Sequence, residues 1–79
     1  MTENMQSTPD SKVIKRSLSI KGHRTSISLE AEFWTQLKSI ASHKNISIAQ
    51  LVADIDAERT QVNLSSALRV FVLNNLLNT

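Results

Sequence analysis

The sequence lacks cysteine altogether, and its 79 residues include one glycine, one proline, two phenylalanines and one tryptophan. Without cysteine neither a disulfide nor a thiolate metal site can form, so apolar packing must hold the fold, and a reducing compartment such as the cytoplasm is expected. A single glycine excludes the glycine-rich loops with which nucleotide enzymes cradle phosphates. So small a domain buries only about 60% of its unfolded surface, which favours help from a partner subunit.

Long apolar runs are also missing. The longest is VFVL at 70–73, far short of the roughly 20 residues that cross a bilayer. The polar start, MTENMQSTPDSK, has no apolar centre of the kind that a signal peptide needs. His23 and His43 stand apart from other metal-ligand residues, so neither a zinc site nor a catalytic triad can be assembled. We therefore expect a protein that is not an enzyme, with no catalytic residues, no metal, no cofactor and no membrane partner.

Positive charge is concentrated near the N-terminus, although the net charge is only +2. Against two acidic residues, this part of the chain carries five basic ones: Lys12, Lys15, Arg16, Lys21 and Arg24. Such asymmetry favours a surface that faces a polyanion. The alternative is a solvated basic tail.

Two alternating segments follow a polar stretch, residues 1–14, that we expect to be a disordered tail. KRSLSI at 15–20 places apolar residues at even positions, whereas TSISL at 25–29 places them at odd positions. A turn or bulge must therefore lie between them, at Lys21-Gly22-His23. A strand over 24–29 needs a partner for its backbone groups. Either 15–20 folds back on it as a hairpin, or the same strand of a second chain pairs with it.

Three helices are predicted from apolar residues at the three-and-four spacing of a helix face. The first covers 30–43 and ends at Lys44-Asn45, where Asn can adopt the left-handed conformation. The second covers 47–58 and opens with a capping box, Ser47 and Gln50. The third covers 63–77, with its interior positions at Leu64, Leu68, Phe71, Val72 and Leu76.

The run RTSISLEAEFWTQLKSIASHKNISIAQLVADI resembles the ribbon-helix-helix family of DNA-binding proteins, the Arc-type and MetJ-type repressors. The string NLSSALRVFVLNNLL is similar to a subgroup, common in bacterial genomes, that carries an additional C-terminal helix. The resemblance implies a mainly α fold with one short N-terminal strand. It also implies an intertwined homodimer, in which strands 24–29 of two chains form an antiparallel ribbon that enters the major groove.

The resemblance also assigns roles to residues. Arg24, Ser26 and Ser28 would contact bases, while Ser47 and Ile48 would present main-chain N–H groups to a phosphate. Residues 15–22 would be a flanking strand or a DNA-gripping arm, unless 15–20 is itself the ribbon. Their cations add phosphate contacts at Lys15, Arg16 and Lys21. The expected dimer core comprises Ile27, Leu29, Trp34, Leu37, Leu51 and Ile55.

The expected function is sequence-specific binding of double-stranded DNA, as a transcriptional repressor that forms a homodimer or a higher oligomer on DNA. One alternative is an antitoxin or another protein-interaction module whose C-terminal helix binds a protein partner. A ligand-sensing regulator, with a cavity beside Trp34, is another. The repressor interpretation predicts that residues 60–79 are packed in the free protein, whereas the antitoxin interpretation predicts that a partner orders them.

Overall fold

The computed structural model describes residues 12–60 and 63–78, so most of the expected tail lies outside the described residues. The elements in chain order are β1 Val13–Ile20, β2 His23–Glu30, α1 Ala31–His43, α2 Ile48–Glu58 and α3 Leu64–Leu77. Each helix begins one residue after the predicted start, because Glu30, Ser47 and Asn63 are the N-caps that precede them.

The expectation of a single short strand is wrong. Two strands of eight residues each form an antiparallel pair within one chain, from Val13 opposite Glu30 to Ile20 opposite His23. In this register an even-numbered residue of β1 lies opposite an odd-numbered residue of β2. That pairing explains why the two segments alternate out of phase. Of the two alternatives drawn from the sequence, the hairpin within one chain is the one present, and a ribbon between two subunits stays a prediction.

The hairpin turn consists of Lys21 and Gly22, both in the left-handed region with φ of 51° and 81°. Two consecutive positive φ values are typical of the type I′ turn, whose twist matches that of the flanking strands. Glycine adopts this conformation without strain. Lysine does not, so the turn carries a residue that local stability alone would not select.

The core lies between the inner face of the hairpin and the three helices. Ile27 and Leu29 from β2 meet Leu37, Val52 and Leu68, one from each helix. All five are at most 2% exposed. Burying one such aliphatic side chain contributes roughly 1.5–3 kcal/mol, and this row of contacts fixes the hairpin against the helices.

The connection between α1 and α2 is a Schellman motif. Asn45 has a φ of 59°, its N–H donates to the Ser42 carbonyl at 3.1 Å, and the Ile46 N–H donates to the Ala41 carbonyl at 3.0 Å. These bonds satisfy carbonyl groups that the end of a helix leaves free. Asparagine therefore fills the left-handed position, as the sequence predicted.

The capping box of α2 forms only in part. The Ser47 hydroxyl accepts from the Gln50 N–H at 3.0 Å, as predicted. The Gln50 side chain, however, donates to Asp54 at 2.8 Å, one helical turn further on.

Helix α3 is packed along its first half and exposed along its last turn. Asn63 begins the helix, because its side-chain oxygen accepts from the Ser66 N–H at 3.1 Å. Leu68 and Val72 are buried, whereas Leu76, which was expected inside, is 50% exposed. That expectation is wrong for the single chain, because the buried core ends at Val72 and the leucines that follow it are exposed.

Candidate nucleic-acid interface

The outer face of the hairpin is the candidate site. Between the turn and the open end of the hairpin, it consists of the side chains that point away from the helices: Lys15, Ser17 and Ser19 on β1, and Arg24, Ser26 and Ser28 on β2. We call these six residues the outer face. All except Ser28 are exposed. Val13 and Glu30 continue the two rows at the open end, where Glu30 pairs with Arg69. Four hydroxyls and two cations on a sheet backed by a packed core form a flat, polar and positively charged surface.

The three residues predicted to contact bases all lie on this outer face. Arg24 and Ser26 are exposed, while their neighbours Ile27 and Leu29 point into the core. Ser28 is half-buried because α3 lies beside it. The alternation within 24–29 therefore separates an inward apolar row from an outward polar row, as the sequence pattern indicates.

Helix α3 holds the end of β2 through two residues. The Ser28 N–H donates to the Ser65 hydroxyl at 3.1 Å, and the Arg69 guanidinium donates to the Ser28 carbonyl at 3.5 Å. Arg69 also forms an ion pair with Glu30 at 2.9 Å, and its guanidinium lowers the pKa of that carboxyl. Sequence reasoning missed Ser65 and Arg69 because the partners lie about 40 positions apart and no local pattern joins them.

Arg16 differs from the other predicted phosphate contacts, because it lies on the inner side of the sheet. It stands opposite Ile27, and its guanidinium sits 4.5 Å from the centre of the Trp34 ring. Its Nη1 atom is buried and has no hydrogen-bond partner among the residues that the structure describes. A cation stacked on an aromatic face contributes to packing. Because its guanidinium is engaged with Trp34 on the inner side, Arg16 is not among the proposed phosphate contacts.

The hairpin turn and the start of α2 enclose a second part of the site. An open cavity of about 220 Å³ is lined there by Lys21 and Ser47, together with Ser19, Ile20, Ala49, Gln50 and Ala53. The Ser47 hydroxyl is already engaged as the helix cap. Hence the groups left for an anion are the N–H groups at the start of α2 and the ammonium group of Lys21.

The residues predicted as a dimer core all contribute to the core of the single chain. Ile27, Leu29, Leu37 and Leu51 are at most 2% exposed and Ile55 is 8% exposed, without any second subunit. Trp34 is partly buried and packs against the same core. Trp34 keeps some exposed surface, and a role of these residues in a dimer stays a prediction.

The remaining features concern metal ligands, membrane-spanning helices and the acidic residues of α2. No group of three or more His, Cys, Asp or Glu side chains is placed to hold a metal ion within 12–60 and 63–78. No helix in that part of the chain is long and apolar enough to cross a membrane. Two of the three acidic residues of α2 are engaged locally, since Asp56 pairs with Arg59 at 2.7 Å and Asp54 accepts from Gln50.

The comparisons agree with this architecture. Residues 13–76 match the ribbon-helix-helix domain family, so the chain belongs to that family and the resemblance drawn from the sequence is confirmed. The family consists of DNA-binding and regulatory modules that are generally not enzymes and that typically bind DNA as dimers.

One solved structure, that of an uncharacterized protein from Bordetella pertussis Tohama I, is similar to this chain with a TM-score of 0.77 and 32% identity. The match covers 91% of this chain and 62% of that protein, so this chain spans less than two thirds of its length. No curated protein matches the chain.

Proposed function

We propose that this protein is a sequence-specific DNA-binding regulator, acting as a transcriptional repressor, that reads the major groove with the outer face of its hairpin. The observation that carries the proposal is the composition of that face. Its six side chains are serine or basic, and five of the six are exposed. The major groove of B-DNA admits a two-stranded β-ribbon.

Arg24 is the principal candidate for base recognition. An arginine can donate two parallel hydrogen bonds to O6 and N7 of guanine, and a good bidentate pair contributes roughly 1–3 kcal/mol of discrimination. Ser26 and Ser28 can donate or accept, so they tolerate several bases. The core holds this strand through Ile27 and Leu29, the buried neighbours of Ser26 and Ser28.

Phosphate contacts are proposed at the cavity beside the hairpin turn. Lys21 lines one open cavity together with Ser47, Ala49 and Gln50, and Ile48 lies in this same first turn of α2. A helix N-terminus favours an anion because its free N–H groups and its dipole act together. Each phosphate neutralised there would steepen the dependence of binding on salt.

We further propose that the protein acts as a homodimer, as members of the family typically do. With the core buried, exposed large apolar side chains remain at the start of β1 and along α3. Val13 and Ile14 lie at the start of β1, and Val70, Leu73 and Leu77 lie along α3. Sedimentation with and without DNA measures the assembly.

The test begins with selection of a preferred duplex from a random-sequence pool by the wild-type protein. Its affinity for that duplex is then compared with its affinity for a scrambled duplex of the same composition, at two salt concentrations. We expect salt-sensitive binding to both, with a preference for the selected duplex that Arg24→Ala lowers roughly tenfold. No enrichment of any sequence by a folded protein would overturn the proposal.

A second candidate function is an antitoxin or another protein-interaction module. The observation that favours it is an exposed apolar stripe on α3 at Val70, Leu73 and Leu77, spaced three and four residues apart. The packing of Leu68 and Val72 argues for the repressor, because it anchors α3 in the free chain. Protection of the α3 amides from hydrogen exchange distinguishes the two, since an antitoxin tail would gain protection only with its partner.

A further inference from the structure

The two strands of the hairpin carry the same six-residue pattern. KRSLSI at 15–20 and RTSISL at 24–29 align at a separation of nine positions. Both begin with a cation, both have serine at the third and fifth places, and both have an aliphatic residue at the fourth and sixth. Only the second place differs in kind, with Arg16 in β1 and Thr25 in β2.

The register of the hairpin turns this repeat into a local two-fold symmetry. Ser17 lies opposite Ser26, the residue nine positions later. The same shift of nine positions relates two other pairs, Lys15 opposite Ser28 and Arg24 opposite Ser19. Under it, Lys15 corresponds to Arg24 and Ser19 corresponds to Ser28. A pseudo-two-fold axis therefore passes between Ser17 and Ser26. The outer face has one cation at each of two diagonal corners, with the four serines between them.

We infer that this single hairpin is a complete reading ribbon, in which Lys15, Ser17 and Ser19 of β1 contact bases in the same manner as Arg24, Ser26 and Ser28 of β2. The inference rests on the proposed function and extends it. Lys15 is then a specificity residue in the major groove, rather than a phosphate contact. One chain presents both halves of the reading surface.

The packing of α3 supports a ribbon built within the chain. In an antiparallel sheet the residues whose backbone groups point away from the paired strand are the ones that a further strand would bind. On β2 the Ser28 N–H and carbonyl are such groups, and Ser65 and Arg69 of α3 already occupy them. A strand from a second chain would have to displace these contacts before it could add along β2 at this position.

The dimensions and symmetry of the outer face suit duplex DNA. Two neighbouring strands are separated by about 4.8 Å, and a two-stranded ribbon fits a major groove about 12 Å wide. Proteins with two-fold symmetry bind sites with matching symmetry. The pseudo-symmetric hairpin should therefore prefer a short, imperfect palindrome, in which Arg24 fixes one half and Lys15 the other. The two halves of the palindrome should differ, because the lysine ammonium is a point charge whereas the arginine guanidinium presents several donors in one plane.

The experiment compares Lys15→Ala, Lys15→Arg and Arg24→Ala on the selected and scrambled duplexes. Lys38→Ala removes an exposed charge from α1 and serves as the matched control. We expect Lys15→Ala to reduce the preference for the selected duplex roughly tenfold, as Arg24→Ala does. Lys15→Arg should keep the preference, and Lys38→Ala should leave the ratio unchanged. Circular dichroism checks that each variant is folded.

The other outcomes separate this inference from the proposed function. If Arg24→Ala loses the preference while Lys15→Ala weakens binding to both duplexes equally, β1 does not read bases, and the inference is overturned although the function stands. If Lys15→Arg loses the preference as fully as Lys15→Ala, the effect is not recognition by a cation, and the inference fails too. A wild type without any preference overturns both.

Discussion

Lys21 provides a direct test, because replacing it should stabilise the hairpin turn and at the same time weaken the proposed contact with a phosphate. It occupies the first central position of a type I′ turn with a φ of 51°. The left-handed conformation costs an ordinary L-residue roughly 1–2 kcal/mol, and asparagine tolerates it better. Lys21→Asn should therefore stabilise the protein by about 0.5–1 kcal/mol. For a domain of this size that corresponds to an increase in Tm of roughly 2–8 °C, measurable by thermal unfolding.

The same substitution removes the cation that borders the cavity at the start of α2. If Lys21 neutralises one phosphate, the slope of log affinity against log salt should become shallower by about 0.9. Fluorescence titration of a labelled duplex at a series of salt concentrations measures that slope. Lys38→Gln, which removes a charge from the exposed side of α1, is the control. An unchanged slope would refute the phosphate contact, and a lower Tm would refute the account of the turn.

Four further predictions concern the fold. Gly22→Ala should lower the free energy of unfolding by about 1 kcal/mol, as measured by urea denaturation. The cause would be the φ of 81° and not a clash, because nothing beyond the neighbouring residues lies within 4 Å of the added Cβ. Leu29→Ala, at a position with no exposed surface, should cost roughly 2–5 kcal/mol and is measured in the same way. Asn63→Ala should cost about 1 kcal/mol by removing the cap of α3. Because Arg69 lowers the pKa of Glu30 in the folded state, that carboxylate stabilises the fold above its unfolded pKa, and the effect is lost as pH falls below about 4.3. Acid unfolding of Glu30→Gln should lack this loss, and equal pH profiles would contradict the role of the ion pair.

Local patterns were sufficient for the helices because the residues that define them are neighbours in sequence. Ser47 and Asn63 cap the helices that follow them, and Asn45 adopts the left-handed conformation between α1 and α2. For the strand at 24–29, however, the sequence allows two partners: residues 15–20 of the same chain, or the same strand of a second chain. Alternation shows which side of a strand is apolar, but it does not show whether the partner strand belongs to the same chain.

The candidate site was predictable in part for the same reason. The outward positions Arg24, Ser26 and Ser28 follow from alternation along one strand. The position of Arg16 does not, because it depends on a contact with Trp34 on α1. Its charge favoured a surface role, whereas the register turns it inward. The attachment of α3 to β2 through Arg69 likewise depends on tertiary structure that no spacing rule contains.

The residue types in the hairpin indicate that its inner face stabilises the strands, whereas its outer face serves another purpose. Serine is a weaker strand former than threonine or valine, yet it fills four of the six positions of the outer face. Stability of the strands therefore comes from the inner face, where Ile20, Ile27 and Leu29 are buried. Because the helices hold the hairpin from behind, the outer face need not contribute to folding. In the proposed complex, short hydroxyl side chains would let the backbone approach the DNA closely, and the cations at the two corners, Lys15 and Arg24, would attract its phosphates. A surface selected for strand stability would carry branched side chains at these positions, so the serines fit the proposed contact with DNA better than a role in folding.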